Sequence, residues 1–379
     1  MIKNSKTFER DHAVPLRDRL ISIAEQFSHQ GNITDIQSLG NGNINDTFLV
    51  SLDDLEQTRF VLQRINTKVF RHPQRVMKNM YILTEHVHAK LQNQPQDRRW
   101  EIPRVILTKT GQDHWNTGDR DYWRAISFIE GSESFDIIAD VSQAQEVGYA
   151  LGMFHELISD LPSEQLTDTL EGFHITPLYL QQYEEILAQN TVKSSPEVDY
   201  GLSFVRDRAE WCSVLENAKK EGKLPLRLMH GDPKVNNVMF DRKTGKAVSV
   251  IDLDTVKPGL VHYDIGDCLR SGCNPMGEET QDWQNIYFDL KLCRGILTGY
   301  LAIAKTFLID NDYAFLFDAI RLISFELGLR FFTDHLAGNV YFKVKYPDHN
   351  LARALVQFKL TESIENQEIQ IRQLITDLR

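Results

Sequence analysis

The stretch Leu226-Arg-Leu-Met-His230-Gly-Asp232-Pro-Lys-Val-Asn236-Asn237-Val-Met-Phe240, continued by Asp241-Arg-Lys-Thr-Gly245-Lys246 and Ala247-Val-Ser-Val-Ile251-Asp252-Leu-Asp254, decides how the chain is read. Two short apolar runs flank a polar turn containing Gly245, the composition of a β-hairpin with a longer loop. With the turn centred near residue 244, antiparallel pairing sets Asn237 opposite Ile251 or Asp252. Asp232, carried on the preceding loop, reaches the same end. Two carboxylates and an amide oxygen converging there suit a hard cation such as Mg²⁺, which takes few protein ligands and leaves room for phosphate and water. Transfer of a phosphoryl group also needs a residue that orients the acceptor hydroxyl and takes its proton. Asp232 is the candidate base, and Asn237 with Asp252 the candidate metal ligands. His-x-Asp alone is weak, because a turn aspartate commonly caps a nearby amide. Asn237 and the Ile-Asp end of the hairpin make the combination specific.

Outward from the hairpin, the order of elements sets the fold class. A helix is expected over Ala13 to Phe27, then strands over Ile33 to Leu39, Ile44 to Leu52 and Thr58 to Ile65. Pro73 opens an amphipathic helix whose apolar positions are Val76, Met80, Leu83, Val87 and Leu91. Strands follow over Arg104 to Thr108 and Asp121 to Glu130. Beyond Gly131 the period changes, with Ala144, Val147, Leu151, Phe154 and Ile158 on one helical face and further helices expected near 178–190, 199–221, 281–307, 312–337 and 350–377. The expectation is an α+β protein of two lobes with a cleft between them: a strand-rich lobe over 1–131 and a mainly helical lobe over 132–379 that carries the hairpin.

Composition narrows the function classes. The chain has 379 residues, 42% hydrophobic and 25% charged, enough for two separate cores. Its 53 acidic against 42 basic residues, net charge −11, argue against general nucleic-acid binding, which needs clustered Lys and Arg. No window approaches a membrane span and the first residues lack an apolar leader, so a cytoplasmic protein without a membrane partner is expected. Cys212, Cys268, Cys273 and Cys293 form no CxxC pair and read as reduced thiols.

His230-Gly-Asp232-x4-Asn237 followed by Val250-Ile-Asp252 resembles the aminoglycoside phosphotransferase family, whose two-lobed fold is like that of protein kinases. That resemblance implies ATP and Mg²⁺ as cofactors, Asp232 as base, and Asn237 and Asp252 on the metal. Gly42-Asn-Ile-Asn45-Asp46-Thr-Phe48, Phe60-Val-Leu-Gln-Arg64-Ile-Asn66, Ile251-Asp-Leu-Asp-Thr-Val256, Tyr263-Asp-Ile-Gly-Asp267 and the tract Phe331 to Leu360 are similar to one subgroup, the N-acetylhexosamine 1-kinases. The acceptor implied is the anomeric hydroxyl of GlcNAc or GalNAc. Alternatives are an aminoglycoside or amino-alcohol kinase such as a choline kinase, or a catalytically silent nucleotide-binding protein. Neither the sugar epimer nor the oligomeric state is written in these motifs.

The surroundings are less marked. The loop from Leu39 to Thr47, with Gly42, Asn45 and Thr47, suits the nucleotide phosphates, its amides turned inward, but no Walker A lysine follows. The third strand offers Gln63 and Arg64 where kinase-like folds carry a phosphate-binding Lys. Strand alternation sends the two to opposite faces, and which contacts phosphate stays open. Arg64 has Glu85 as a possible partner, the alternative being that both are solvated charges. By resemblance the main chain around Phe128 to Glu130 binds adenine. Glu326, Arg330 and Asp334 share a helical stripe, the plain reading of which is an exposed ion-pair ladder. By resemblance Arg330 and Tyr341 contact the sugar. Asp254 is expected on the face of Asp252 if the strand continues, touching metal-bound water or the acceptor. Asp264 and His230 are expected to secure the catalytic loop rather than to react.

Overall fold

The computed structural model describes residues 16–40, 44–56, 58–93, 97–116, 118, 121–189 and 193–379, which divide into two compact units. The first takes the described residues up to Arg71 and Val105–Phe128. Its helix α1 (Leu16–Ala24) is followed by strands β1 (Ile33–Ser38), β2 (Asp46–Leu52) and β3 (Arg59–Arg64), and by β4 (Val105–Ile106), β5 (Trp115–Asn116) and β6 (Tyr122–Ser127). The strands form an antiparallel sheet in the order β1-β2-β3-β6-β4, with β5 paired to β6. Alternating residues Val50, Leu52, Phe60, Leu62, Trp123 and Ala125 face one side and close over Leu20, Ile23 and Ala24 of α1, so a period-2 pattern and a helical stripe share one core.

The second unit takes His72–Arg104 and Ile129–Arg379. It opens with α2 (Pro73–Asn93) and continues through β7 (Ser132–Glu133), α3 (Val141–Ile158), α4 (Thr176–Gln189), α5 (Pro196–Arg206) and α6 (Val214–Lys220). Four short strands follow: β8 (Arg227–Met229), β9 (Val238–Asp241), β10 (Ala247–Val250) and β11 (Lys257–Gly259). The remainder is α7 (Val261–Gly272), α8 (Leu290–Ala304), α9 (Asp310–Ala314), α10 (Leu316–Leu336), α11 (His349–Asn366) and α12 (Glu368–Leu378). Helices expected unbroken over 199–221, 312–337 and 350–377 are each interrupted. Helices α3 and α8 cross with their backbones nearly touching. A Cβ on Gly148 would lie 1.9 Å from the Ile296 carbonyl oxygen, and one on Gly299 2.0 Å from that of Gln145. Larger side chains at either position would force the helices apart.

The sequence reading ended the first lobe at Gly131, but the units change over between Phe128 and Ile129, and α2 goes with the helical unit. Hydrogen bonds explain the second difference. Asn79 donates to the carbonyls of Thr167 at 2.7 Å and Val256 at 3.0 Å, and Lys90 donates to that of Glu156 at 3.0 Å. The mixed α+β class, a strand-rich sheet followed by a helical lobe with a hairpin, is as expected. No helix among the described residues is long and apolar enough to cross a membrane. The four cysteines are free and buried.

Candidate active site

Two small ladders build the candidate catalytic segment. Strand β9 pairs with β10, Val238 opposite Val250, and β8 pairs with β11, Met229 opposite Lys257. The links between them, 230–237 and 251–256, therefore run against each other. The Ile251 N–H donates to the Asn237 carbonyl at 2.9 Å, which sets Asn237 beside Ile251 and Asp252 as the hairpin register required. His230 is wholly buried and bridges the two links: its Nε2–H donates to the Ile251 carbonyl at 2.9 Å, and its Nδ1 accepts the Asp232 amide at 3.2 Å. Burial pushes its pKa down, consistent with a neutral ring that uses one nitrogen as donor and one as acceptor. His230 is thus a loop anchor. Gly231 sits at φ +88°, and a Cβ there would fall 2.8 Å from the Thr255 carbonyl oxygen, so only glycine fits.

From α7, Asp264 receives the amides of His230 at 2.6 Å and Gly231 at 2.7 Å, and His155 Nε2 lies 2.8 Å from the same carboxylate. Burial raises its pKa, but His155 and the His230 amide outweigh that and hold it below the usual carboxylate value. Asn237 Nδ2 donates to the Asp232 carbonyl at 2.8 Å, leaving its Oδ1 as an oxygen donor. Asp252 adopts the left-handed conformation, φ 65° and ψ 56°, uncommon for a residue with a Cβ and a kind of strain found at functional sites. That conformation ends the strand. Leu253–Thr255 form a 3₁₀ turn, and Asp254 is buried on it rather than continuing an alternating face, which corrects the sequence expectation.

Sequence reading passed over Lys234, two residues after Asp232 in the same loop. Its Nζ lies 2.9 Å from Asp232 Oδ2. The Asp232 carboxylate, with a smaller contribution from the charge of Asp252, raises its pKa. Among the described residues no three His, Cys, Asp or Glu side chains gather closely enough to cage a metal. The donor set at the hairpin end is one amide oxygen and one carboxylate, hard oxygens of the type and small number that Mg²⁺ takes.

The stripe on α10 is not an exposed ladder. Glu326 and Asp334 are buried and turn to different partners. Asp334 accepts the amides of Val340 at 2.9 Å, Tyr341 at 2.8 Å and Phe342 at 2.9 Å, and Asn350 Nδ2 at 2.9 Å. Arg330, between them, has its guanidinium over the rings of Phe173 at 5.2 Å, Tyr179 at 5.0 Å and Phe342 at 5.5 Å. The guanidinium makes no hydrogen bond among the described residues, and Asp232 lies within its electrostatic reach. Tyr341 is 54% exposed, on the loop that Asp334 holds.

In the first unit, Gly42 lies outside the described residues. Asn45 Oδ1 accepts the Asn66 amide at 2.9 Å, and Thr47 Oγ1 accepts from Gln63 Nε2 at 3.0 Å, so both side chains serve the sheet. Gln63 Oε1 in turn accepts from Arg124 Nε at 2.8 Å, a buried cation in register on β6 that sequence reading did not single out. Arg64 does not pair with Glu85. It stands opposite Asp46 across the β2–β3 ladder and bonds it at 2.9 Å, with Asp121 at 3.4 Å, while Arg104 holds Glu85 at 2.9 and 2.8 Å. Phe128 stacks under the Arg59 guanidinium at 4.5 Å. In the second unit the Glu130 carbonyl accepts from Arg99 at 2.6 Å, a local partner for one of the groups expected to bind adenine.

This architecture, an antiparallel sheet lobe followed by a helical lobe with a catalytic-type hairpin, defines a kinase-like α+β protein. The sequence profile of the phosphotransferase enzyme family matches residues 35–290, and the chain belongs to that family. A kinase-like protein of Caenorhabditis elegans is 29% identical over 157 residues, 39% of this chain and 41% of that protein, so the match spans well under half of the relative. Among solved structures, an aminoglycoside phosphotransferase from Alicyclobacillus acidocaldarius superposes with a TM-score of 0.62 at 15% identity, covering 98% of both chains. A microcompartment-associated aminopropanol kinase gives 0.62 at 15% identity over 94% of this chain and 98% of that one. A spectinomycin phosphotransferase gives 0.55 at 14% over 94% and 100%. At these identities the likeness is one of fold.

Proposed function

We propose that the chain transfers the γ-phosphoryl group of ATP to the anomeric hydroxyl of an N-acetylhexosamine. Asp232 orients that hydroxyl and accepts its proton as the oxygen–phosphorus bond forms and the bond from the γ-phosphorus to the ADP oxygen breaks. Asn237 Oδ1 and the Asp252 carboxylate hold Mg²⁺, which when bound neutralises charge on the phosphates. Lys234 orients the Asp232 carboxylate from one side. The nucleotide phosphates are assigned by resemblance to Gly42, Asn45 and Thr47 and to Gln63 or Arg64. Phe128 and Glu130 supply main chain for adenine. Asp254, buried on its turn, supports the acceptor side through position rather than exposure.

The observation that carries the choice of acceptor is Arg330. Its guanidinium is held by three aromatic rings rather than by hydrogen bonds, so its N–H donors are available to sugar hydroxyls or an acetamide carbonyl. A second positive charge beside this half-buried guanidinium is unfavourable, which weighs against an aminoglycoside or choline-like cation. Tyr341 offers a ring face and a hydroxyl nearby in sequence.

The test is ADP release from MgATP across N-acetylhexosamines, aminoglycosides and choline, with phosphorus NMR of the product. An anomeric phosphate is expected; turnover confined to amines overturns the acceptor assignment. Asp232→Asn is expected to lower turnover by about 10²–10⁴-fold while ATP binding persists. Near-normal turnover in that variant removes Asp232 as the base.

A further inference from the structure

His174 was not part of any motif, yet the fold places it between the helix that carries Arg330 and the loop that carries Asp232. Its ring is buried, with Nδ1 2.8 Å from Glu326 Oε1 and Nε2 2.7 Å from the Gly231 carbonyl oxygen. The other oxygen of Glu326 accepts the Thr176 hydroxyl at 2.7 Å. Both ring nitrogens therefore face oxygen acceptors. A neutral imidazole has one N–H and would set a lone pair against one of them; only the doubly protonated ring donates to both. The backbone is also committed to this placement, since His174 adopts φ 65°, a left-handed conformation that is costly for a residue with a Cβ. Neighbouring rings hold the ring plane: Tyr263 stacks on it at 5.4 Å and Phe173 lies tilted against it at 4.0 Å, centroid to centroid.

We propose that His174 is a positioning residue, an imidazolium that ties Glu326 of α10 to the Gly231 carbonyl and so fixes the backbone from which Asp232 is presented. This rests on Asp232 being the base. The charged and titratable groups around the ring are Glu326 and Arg330 from α10, Tyr263 and Asp267 from α7, and Asp232 one residue beyond Gly231. Asp267 is already paired with Arg270 at 2.8 Å, and Tyr263 donates to Glu216, so Glu326 is the direct counter-ion. Burial opposes charge on His174, but Glu326 outweighs it and the pKa stands above the usual histidine value. Burial likewise opposes charge on Glu326, and His174 reverses the balance and holds its pKa below the usual carboxylate value. The sign follows. A group whose pKa is raised on folding contributes below its unfolded value and ceases to contribute as pH rises through the folded value. The clamp is thus fully present below the ordinary histidine value and is released as pH rises through the higher folded one.

The direct test is ¹⁵N NMR of the histidine-labelled wild-type protein. Both His174 nitrogens are expected to show imidazolium shifts at pH 7. A neutral tautomer there, or a single proton shared with Glu326 on a neutral ring, overturns the proposal without any variant having to fold. Kinetics supply the second arm. Turnover of the wild type is expected to fall on an alkaline limb. His174→Gln should lower kcat on the order of 10²-fold, with ATP affinity unchanged, and abolish that limb. Glu326→Gln should move it to lower pH. Profiles in both variants that superimpose on wild type sink the positioning role. Near-normal turnover in Asp232→Asn, with the imidazolium intact, instead marks failure of the base assignment beneath it.

Discussion

Two helix-borne aspartates each hold a loop by its amides, and the difference between them separates the two halves of the candidate site. Asp264 on α7 takes the amides of His230 and Gly231, and the segment it holds is then locked again through His230 to Ile251 and through His174 to Gly231. Asp334 on α10 takes the amides of Val340, Tyr341 and Phe342, and the loop it holds leaves Val340 78% and Tyr341 54% exposed. The same device yields a rigid, buried backbone in one place and a shaped, accessible surface in the other. Phosphoryl transfer needs fixed positions for base and metal ligands, whereas an acceptor must enter and leave. The segment proposed to carry the base is over-determined, and the loop proposed to meet the acceptor is only pre-shaped.

Substitution can break this contrast. The largest effect is expected at Asp264, where Asp264→Ala strands two buried amides and the His155 ring. Denaturant unfolding should register a loss of about 3–5 kcal/mol, and turnover should fall with it. Because the Asp264 pKa is lowered on folding, its contribution is present above the unfolded carboxylate value and is lost as pH falls through the folded one. An intermediate effect is expected for Asp334→Ala. Hydrogen exchange at residues 340–342 should accelerate in line with a loss of about 2 kcal/mol. KM for the acceptor should rise about tenfold, as expected for a loss near 1.4 kcal/mol, while kcat changes little. An equal fall in kcat with KM unchanged would erase the distinction between the two loops.

The smallest effect is expected at Glu279, which bonds Lys345 at 2.7 Å, His349 at 3.0 Å and Arg353 at 2.7 Å beside the acceptor loop. Burial pushes its pKa up, but Lys345 and Arg353 bring it down to about 2. The carboxylate is 45% exposed, so solvent screening limits the cluster to about 0–1 kcal/mol. Its stabilisation should hold above the ordinary carboxylate range and fade toward pH 2. Comparing thermal midpoints of wild type and Glu279→Gln at pH 7 and near pH 2 checks this; a difference that grows in acid would contradict it.

The legible parts of the molecule were those encoded at short range. The β9–β10 hairpin, the Asn237–Ile251 register and the anchoring roles of His230 and Asp264 follow from turn composition and alternation within about thirty-five residues. Arg64, for which Glu85 was the possible partner, is bonded instead to Asp46, which stands opposite it in the cross-strand register. Asp254 left its expected face because Asp252 turns left-handed, which no alternation rule anticipates. Lys234 had a signal, its spacing from Asp232, that went unused.

The sequence by itself determined the order of elements, the α+β class and the hairpin that brings Asn237 beside Ile251, because helix and strand periods and turn signals are local properties of the chain. Tertiary structure alone decided which charges are buried and with whom. Glu326, Arg330 and Asp334 lie on one stripe of α10, yet packing gives one to His174, one to a cage of aromatic rings and one to a loop of backbone amides. A charge taken out of water must find its partner wherever packing places one, here from segments as far as 152 residues away along the chain.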